Sequence, residues 1–314
     1  MSTHTTRRAA VAILAATAAA WTRAQPQPQA LRIGFQKGSL NLALLKSYGL
    51  LEQRLPGTRI QWTEFPAGPQ LLEALALGSV DLGATGDAPP VFAQAAGKDV
   101  VYVGAEPPKP DSSAVLVKPD SPLKTLADLK GRRIALQKGS SAHFLTVQAV
   151  KKAGLQWADI QPVYLPPADA RAAFERGAVE AWAVWDPYYA AAEIGGELRA
   201  LATSRGLTSN NTFYLASRAL SQQPALLKIL FQALTDTDAR VQADRRDAVQ
   251  RYADFAGLPA PIVQRMLDRR GPAPVGPLTA ELAREQQQVA DAFAELALIP
   301  RPIRVADAIA QVRA

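Results

Sequence analysis

The sequence predicts an α/β protein of two similar lobes, joined by two hinge-crossing strands and completed by C-terminal helices packed on the first lobe. Three observations predict it. Apolar runs of strand length alternate with stretches of helical apolar period, the pattern that builds parallel sheets with right-handed crossovers. That pattern occurs twice, with matching punctuation. The chain beyond Leu220 is then helical by period to its end.

The duplication is clearest in a tetrapeptide. Gln36-Lys37-Gly38-Ser39 ends the run RIGFQKGS, and Gln137-Lys138-Gly139-Ser140 ends RIALQKGS. After the first copy, NLALLKSYGLLEQRL reads as a helix ending near Gly49; after the second, HFLTVQAVKKAGL reads as one ending at Gly154. The strands RIQWTEFP and IQPVYLPP follow, then the helices GPQLLEALALG and DARAAFERG. Four landmark pairs keep nearly one offset: 101 for Gln36 and Gln137, 100 for Pro66 and Pro166, 99 for Gly78 and Gly177, and 99 for Asp87 and Asp186. Such a period is too long for a solenoid and fits two lobes of β-α-β-α-β each. Extended apolar runs beside turn residues, Lys109 to Val117 and Thr208 to Ser217, read as the crossings between lobes. The expected domains are residues 31–111 with 213–314 for the first lobe and 112–212 for the second. Several of the last helices are separated by Pro259, Pro261, Pro272, Pro274 and Pro277.

The 314 residues suffice for a large core. Residues 1–24 read as a cleaved export signal: Arg7 and Arg8, an alanine-rich apolar run from Ala9 to Ala20, then small residues near Ala24. Residues 25–30 form a polar linker. Without residues 1–24 the formal charge falls from +7 to +4, because Arg7, Arg8 and Arg23 leave with no acid. No dense basic stripe interleaved with aromatics marks a nucleic-acid surface. The chain has no cysteine and only two histidines, His4 and His143. Disulfides, thiolate metal sites and a lipid-anchored N-terminal cysteine are therefore excluded, and no metal or other cofactor is expected.

In open α/β sheets ligands bind beyond the carboxyl ends of the strands. Both Gln-Lys-Gly-Ser copies fall there, as do Thr85-Gly86-Asp87 and Trp185-Asp186-Pro187. If the lobes face each other, all four line one cleft that closes by hinge motion. Glycine lets backbone approach a ligand, and a helix start offers N–H groups to an anion. The second copy continues Ser140-Ser141-Ala142-His143, richer in donors than the first, and is expected to grip the anion while Gln36 closes over it. The alternative for each serine is helix capping. Asp87 and Asp186, at equivalent positions, are expected to cap the turns after them more than to act as an acid–base pair. Trp182 reads as core, Trp185 as packing on the ligand's apolar part, and Tyr188 and Tyr189 as rim. His143 lacks the elbow and orienting carboxylate that a serine nucleophile needs.

These residues resemble the periplasmic substrate-binding proteins of ABC importers, in particular the aliphatic sulfonate-binding proteins, from about Leu31 to the C-terminus. The most specific stretches are RIGFQKGS, GSVDLGATGDAPPVFAQAAG, DLKGRRIALQKGSSAH and QPVYLPPADARAAFERGAVEAWAVWDPYYAA. The resemblance implies a two-lobed, type II-like binding fold and a monomeric, non-enzymatic periplasmic protein. It would capture an alkanesulfonate and deliver it to a membrane permease for sulfur supply. By analogy, ligand contacts fall at Gln36, Gly86, Asp87, Glu106, Ser140, Ser141, His143 and Trp185. A carboxylate at Glu106 would disfavour doubly charged sulfate and pair with an amino-bearing tail. Phe144 replaces the polar residue that often follows the histidine in relatives. Taurine, nitrate and sulfate esters are the neighbouring ligand classes. A thiamine-pyrimidine-forming enzyme on the same scaffold is the alternative of another class; its cysteine-rich iron chemistry has no counterpart in this chain.

Overall fold

The computed structural model describes residues 29–196 and 198–310, so residues 1–24, read from the sequence as an export signal, lie outside the described residues. The chain begins with β1 (Ala30–Phe35), α1 (Leu40–Tyr48), α2 (Leu50–Arg54), β2 (Arg59–Glu64), α3 (Gly68–Ala76), β3 (Leu82–Gly86), α4 (Ala88–Ala95) and β4 (Val101–Glu106). It crosses into β5 (Ser113–Val117), β6 (Arg133–Leu136), α5 (Ser141–Lys152), β7 (Gln161–Tyr164), α6 (Pro167–Glu175), β8 (Ala181–Trp185), α7 (Tyr188–Ile194) and β9 (Arg199–Thr203). It returns through β10 (Thr212–Ala216) to α8 (Arg218–Ser221), α9 (Pro224–Ala243), α10 (Arg245–Ala256), α11 (Ala260–Asp268) and α12 (Ala280–Glu295).

Two five-stranded sheets result, ordered β2-β1-β3-β10-β4 and β7-β6-β8-β5-β9. They have the same plan. In the first, β1 runs parallel to β2 and β3, and β10 is antiparallel to β3 and β4. In the second, β6 runs parallel to β7 and β8, and β5 is antiparallel to β8 and β9. The one antiparallel strand that each sheet holds beside its parallel trio is the strand entered just after a crossing. The duplication read from four landmark pairs is therefore a duplication of topology.

Burial explains the strand sequences. β4 and β5, VYVGAE and SAVLV, are buried at every residue, as strands covered on both faces must be. The edge strands β2 and β7 carry exposed polar residues. Gly49 ends α1 in the left-handed region at φ 63°, a conformation that costs glycine little, and α2 starts from the same residue.

The C-terminal helices do more than expected. α9 and α10 pack on α1, and α12 packs on α4, all within the first lobe. But α11 also packs on α7, and α12 on α5, both in the second lobe. Phe293 of α12 meets Phe92 of α4 at 4.9 Å between centroids and Phe144 of α5 at 5.9 Å. An apolar seam therefore spans the two lobes on one side of the crossings.

Candidate functional site

The two crossings, residues 107–112 and 204–211, are clipped to each other. Lys109 N–H donates to Ser209 O at 3.0 Å, and the Asn210 amide donates to Lys109 O at 2.9 Å and to Ser113 Oγ at 3.0 Å. They floor a cavity of about 80 Å³ between the lobes. Its wall takes Gln36, Gly86 and Glu106 from the first lobe and Ser140, Ser141 and Trp185 from the second. Six of the eight residues expected at the ligand are thus brought together. Asp87 and His143 are not on the wall.

His143 is a correction. It is fully buried, one turn into α5, on the side facing α4 and α12. Its ring lies 5.0 to 5.8 Å from Phe92, Trp157, Tyr164 and Phe293. Nδ1 accepts the N–H of Gly139 at 3.2 Å, and Nε2 has no protein partner. Burial, with Lys138 nearby, lowers its pKa to about 3, so the ring is neutral. It braces the turn that carries Ser140 rather than reaching a ligand. Phe144, beside it, belongs to the apolar seam.

Asp87 and Asp186 do what their positions suggested. Asp87 caps α4, accepting the Ala88 N–H at 2.8 Å, and Asp186 accepts the Ala190 N–H at 3.0 Å. Burial raises Asp87 to about 6, against the pull of the Ser141 hydroxyl that donates to it across the cleft. Asp186 borders the cavity and is raised by burial to about 7, against the pull of Arg269. Trp182 is core, 1% exposed. Tyr189 is a second correction: it is buried, under the Arg269 guanidinium at 3.6 Å from the ring centroid.

Neither Ser39 nor Ser140 caps its helix. Ser140 Oγ donates to Gln137 O at 2.7 Å, so the first N–H groups of α5 have no side-chain cap. Those N–H groups, together with the positive end of the helix dipole, are what α5 presents at the cavity wall. Gln36 is likewise held, its amide donating to Ala84 O at 2.9 Å.

Glu106 lines the cavity, yet its carboxylate is fully engaged. Oε1 accepts from Asn41 at 3.1 Å and from Tyr214 at 2.8 Å. Oε2 accepts from Lys109 at 3.0 Å and from Arg270 at 2.9 Å. Burial pushes its pKa up, but Arg270 and Lys109 pull harder and bring it to about 2. No lone pair is left for an amino-bearing tail, which corrects that expectation. The two cations themselves line the cavity. Sequence reading passed over both. Lys109 carries a usable signal, since it sits between two prolines three residues after Glu106 in a crossing that must floor any cleft. Arg270 has none: the run LDRRG reads as the solvated end of a helix.

The lobes touch closely around the cavity. A Cβ on Gly38 would lie 2.9 Å from Asp186 O of the other lobe, and one on Gly86 would lie 1.8 Å from Ser141 Oγ. A Cβ on Gly139 would meet the Phe92 ring at 3.1 Å. Each Gln-Lys-Gly-Ser copy thus packs its glycine on the opposite lobe. Beyond the cavity, Arg269 binds Asp186 at 2.9 Å and Glu193 at 2.5 Å, and Arg265 binds Glu193 at 2.7 Å, tying the end of α11 to α7.

Comparison with known proteins agrees with this geometry. A family model described as NMT1/THI5 like matches residues 63–244. An aliphatic sulfonates-binding protein of Escherichia coli (strain K12) is 50% identical over 289 residues, covering 92% of this chain and 91% of that protein. The solved alkanesulfonate-binding protein SsuA from Xanthomonas axonopodis pv. citri, bound to MOPS, superposes with a TM-score of 0.88 at 48% identity, over 91% of this chain and 99% of that one. The periplasmic aliphatic sulphonate binding protein SsuA from Escherichia coli gives 0.84 at 50% identity, over 91% and 93%. The chain belongs to the family of aliphatic sulfonate-binding proteins, two-lobed solute-binding components of ABC importers.

Proposed function

We propose that this chain captures a small organic sulfonate in the periplasm by closing its lobes over it, and hands it to a membrane permease for sulfur supply. The observation that carries this is the cavity at the lobe boundary. It joins two cations and an uncapped helix start, which suit a sulfonate head, with Trp185, which suits an organic tail. Residues 1–24 act as the export signal in this reading. The chemistry on the wall suits binding: among the described residues the one histidine is buried behind Gly139, and the Ser141 hydroxyl is held by Asp87, which caps α4. Saturation of Glu106 argues against a taurine-type ammonium at that position.

The test is a thermal-shift panel on the mature chain with ethanesulfonate, longer alkanesulfonates, taurine, sulfate and nitrate. A sulfonate at 100 times its Kd stabilises the fold by roughly 2.7 kcal/mol. A clear shift with nitrate and none with any sulfonate would overturn the reading.

A further inference from the structure

We infer that Glu106 sets the charge of the ligand, by holding the cavity wall at a single net positive charge and so selecting monoanions over dianions. This rests on the sulfonate reading and deepens it. Three guanidinium or ammonium groups stand at the wall or one bond behind it: Lys109 and Arg270 line the cavity, and Arg269 is paired with the lining residue Asp186. Arg269 is spent on Asp186 and Glu193, and Glu106 offsets one of the two cations that line the cavity. One positive charge is left at the wall. Asp87 lies behind Gly86 and off the wall, capping α4 and taking the Ser141 hydroxyl.

The selection follows from how two energies scale. Attraction between the wall and an anion grows linearly with the anion's charge. The cost of taking the anion out of water grows with the square of its charge in the Born description. A wall of one net charge therefore serves a monoanion well. For a dianion it doubles the gain but quadruples the cost. Glu106 is built for this task more than for contact. It is 4% exposed, and four donors fix both its oxygens. It remains charged at neutral pH, because its two cations outweigh its burial. It also keeps Lys109 and Arg270 within 3.0 Å of one oxygen at the cavity wall. Without it, two buried cations would face the cavity with no counter-charge.

The test measures sulfate and ethanesulfonate binding by calorimetry in the mature chain and in Glu106→Gln, Glu106→Asp and Lys109→Met. Glu106→Gln raises the wall charge by one, so the ratio of sulfate to ethanesulfonate affinity rises roughly tenfold or more. Glu106→Asp keeps the charge and keeps the ratio near that of the parent, even if both affinities drop. Lys109→Met lowers the wall charge and moves the ratio the other way, so the inference stays testable should Glu106→Gln fail to fold. An unchanged ratio in Glu106→Gln, or in Lys109→Met where Glu106→Gln does not fold, overturns it. If the parent binds no sulfonate, the sulfonate reading fails on its own; the valence inference is then judged on nitrate against sulfate with the same variants.

Discussion

At the scale of single residues, His143 shows how a polar side chain near a site can serve it without touching the ligand. Its Nδ1 accepts the Gly139 N–H, at a turn where Gly139 holds φ at 70°. That role requires the neutral ring, and burial keeps the ring neutral down to about pH 3. In the unfolded chain a histidine titrates near 6.5. Below that value the unfolded chain binds one more proton than the folded one, so stability is complete above about pH 6.5 and falls as the pH drops toward 3. His143→Asn cannot titrate. From pH 8 to pH 5, urea unfolding should show wild type losing about 2 kcal/mol relative to that variant. A gap that stays constant with pH would mean that the ring titrates freely in the fold. Asp87 and Asp186, raised to about 6 and about 7, run in the opposite sense, but they are common to both proteins and cancel in the difference.

At the scale of elements, the informative pair is α11 and α7. The apolar stripe of α11 places it against the first lobe through Val263, Met266 and Leu267, in one cluster with Tyr252 of α10 and Leu44 of α1. Its last turn and the residues after it then hold two arginines that reach Asp186 and Glu193. The Arg265–Glu193 pair is exposed, 47% and 33% at the side chains, and such pairs contribute about 1 kcal/mol or less. Arg269 and Asp186 are 10% and 4% exposed, where removing one partner strands a buried charge. These contacts cross the lobe boundary, so on the proposed hinge closure weakening them lowers ligand affinity by shifting the population. Arg269→Met should weaken sulfonate binding about tenfold or more, although Arg269 is not on the cavity wall, whereas Arg265→Met should change it by less than about fivefold. Equal losses in the two variants would show that α11 holds α7 by packing alone. Arg270, next in sequence, turns to Glu106, so this one dipeptide joins the lobe contact to the cavity wall.

At the scale of the molecule, closure is limited by backbone as much as by charge. Gly38 meets Asp186 O, and Gly86 meets Ser141, across the lobe boundary. Gly38→Ala places a methyl group 2.9 Å from that carbonyl oxygen, closer than real Cβ atoms come. The lobe cores lie elsewhere, so thermal stability without ligand should hold within about 0.5 kcal/mol. The decrease in radius of gyration on adding saturating ethanesulfonate, read by small-angle scattering, should shrink or vanish. Full compaction in the variant would mean that the lobes close along another path.

The sequence alone determined the two-lobed α/β plan and put five residues of the cavity wall, Gln36, Gly86, Ser140, Ser141 and Trp185, at strand ends and helix starts; Glu106 came only from the family resemblance. It could do so because those features are written locally: hydrophobic period, strand-to-helix turns, and a repeat at a near-constant offset. Tertiary structure decided which side chains are free to act. Packing against α4 and α12 turned His143 inward, four converging donors saturated Glu106, and the path of the C-terminal helices brought Arg269 and Arg270 to the cleft. Each of these joins segments tens to hundreds of residues apart, for instance Glu106 with Arg270, 164 residues on. Where such charges meet, and whether a carboxylate is left free or fully bonded, is set by that convergence and by burial, neither of which is carried by a residue's neighbours in the chain.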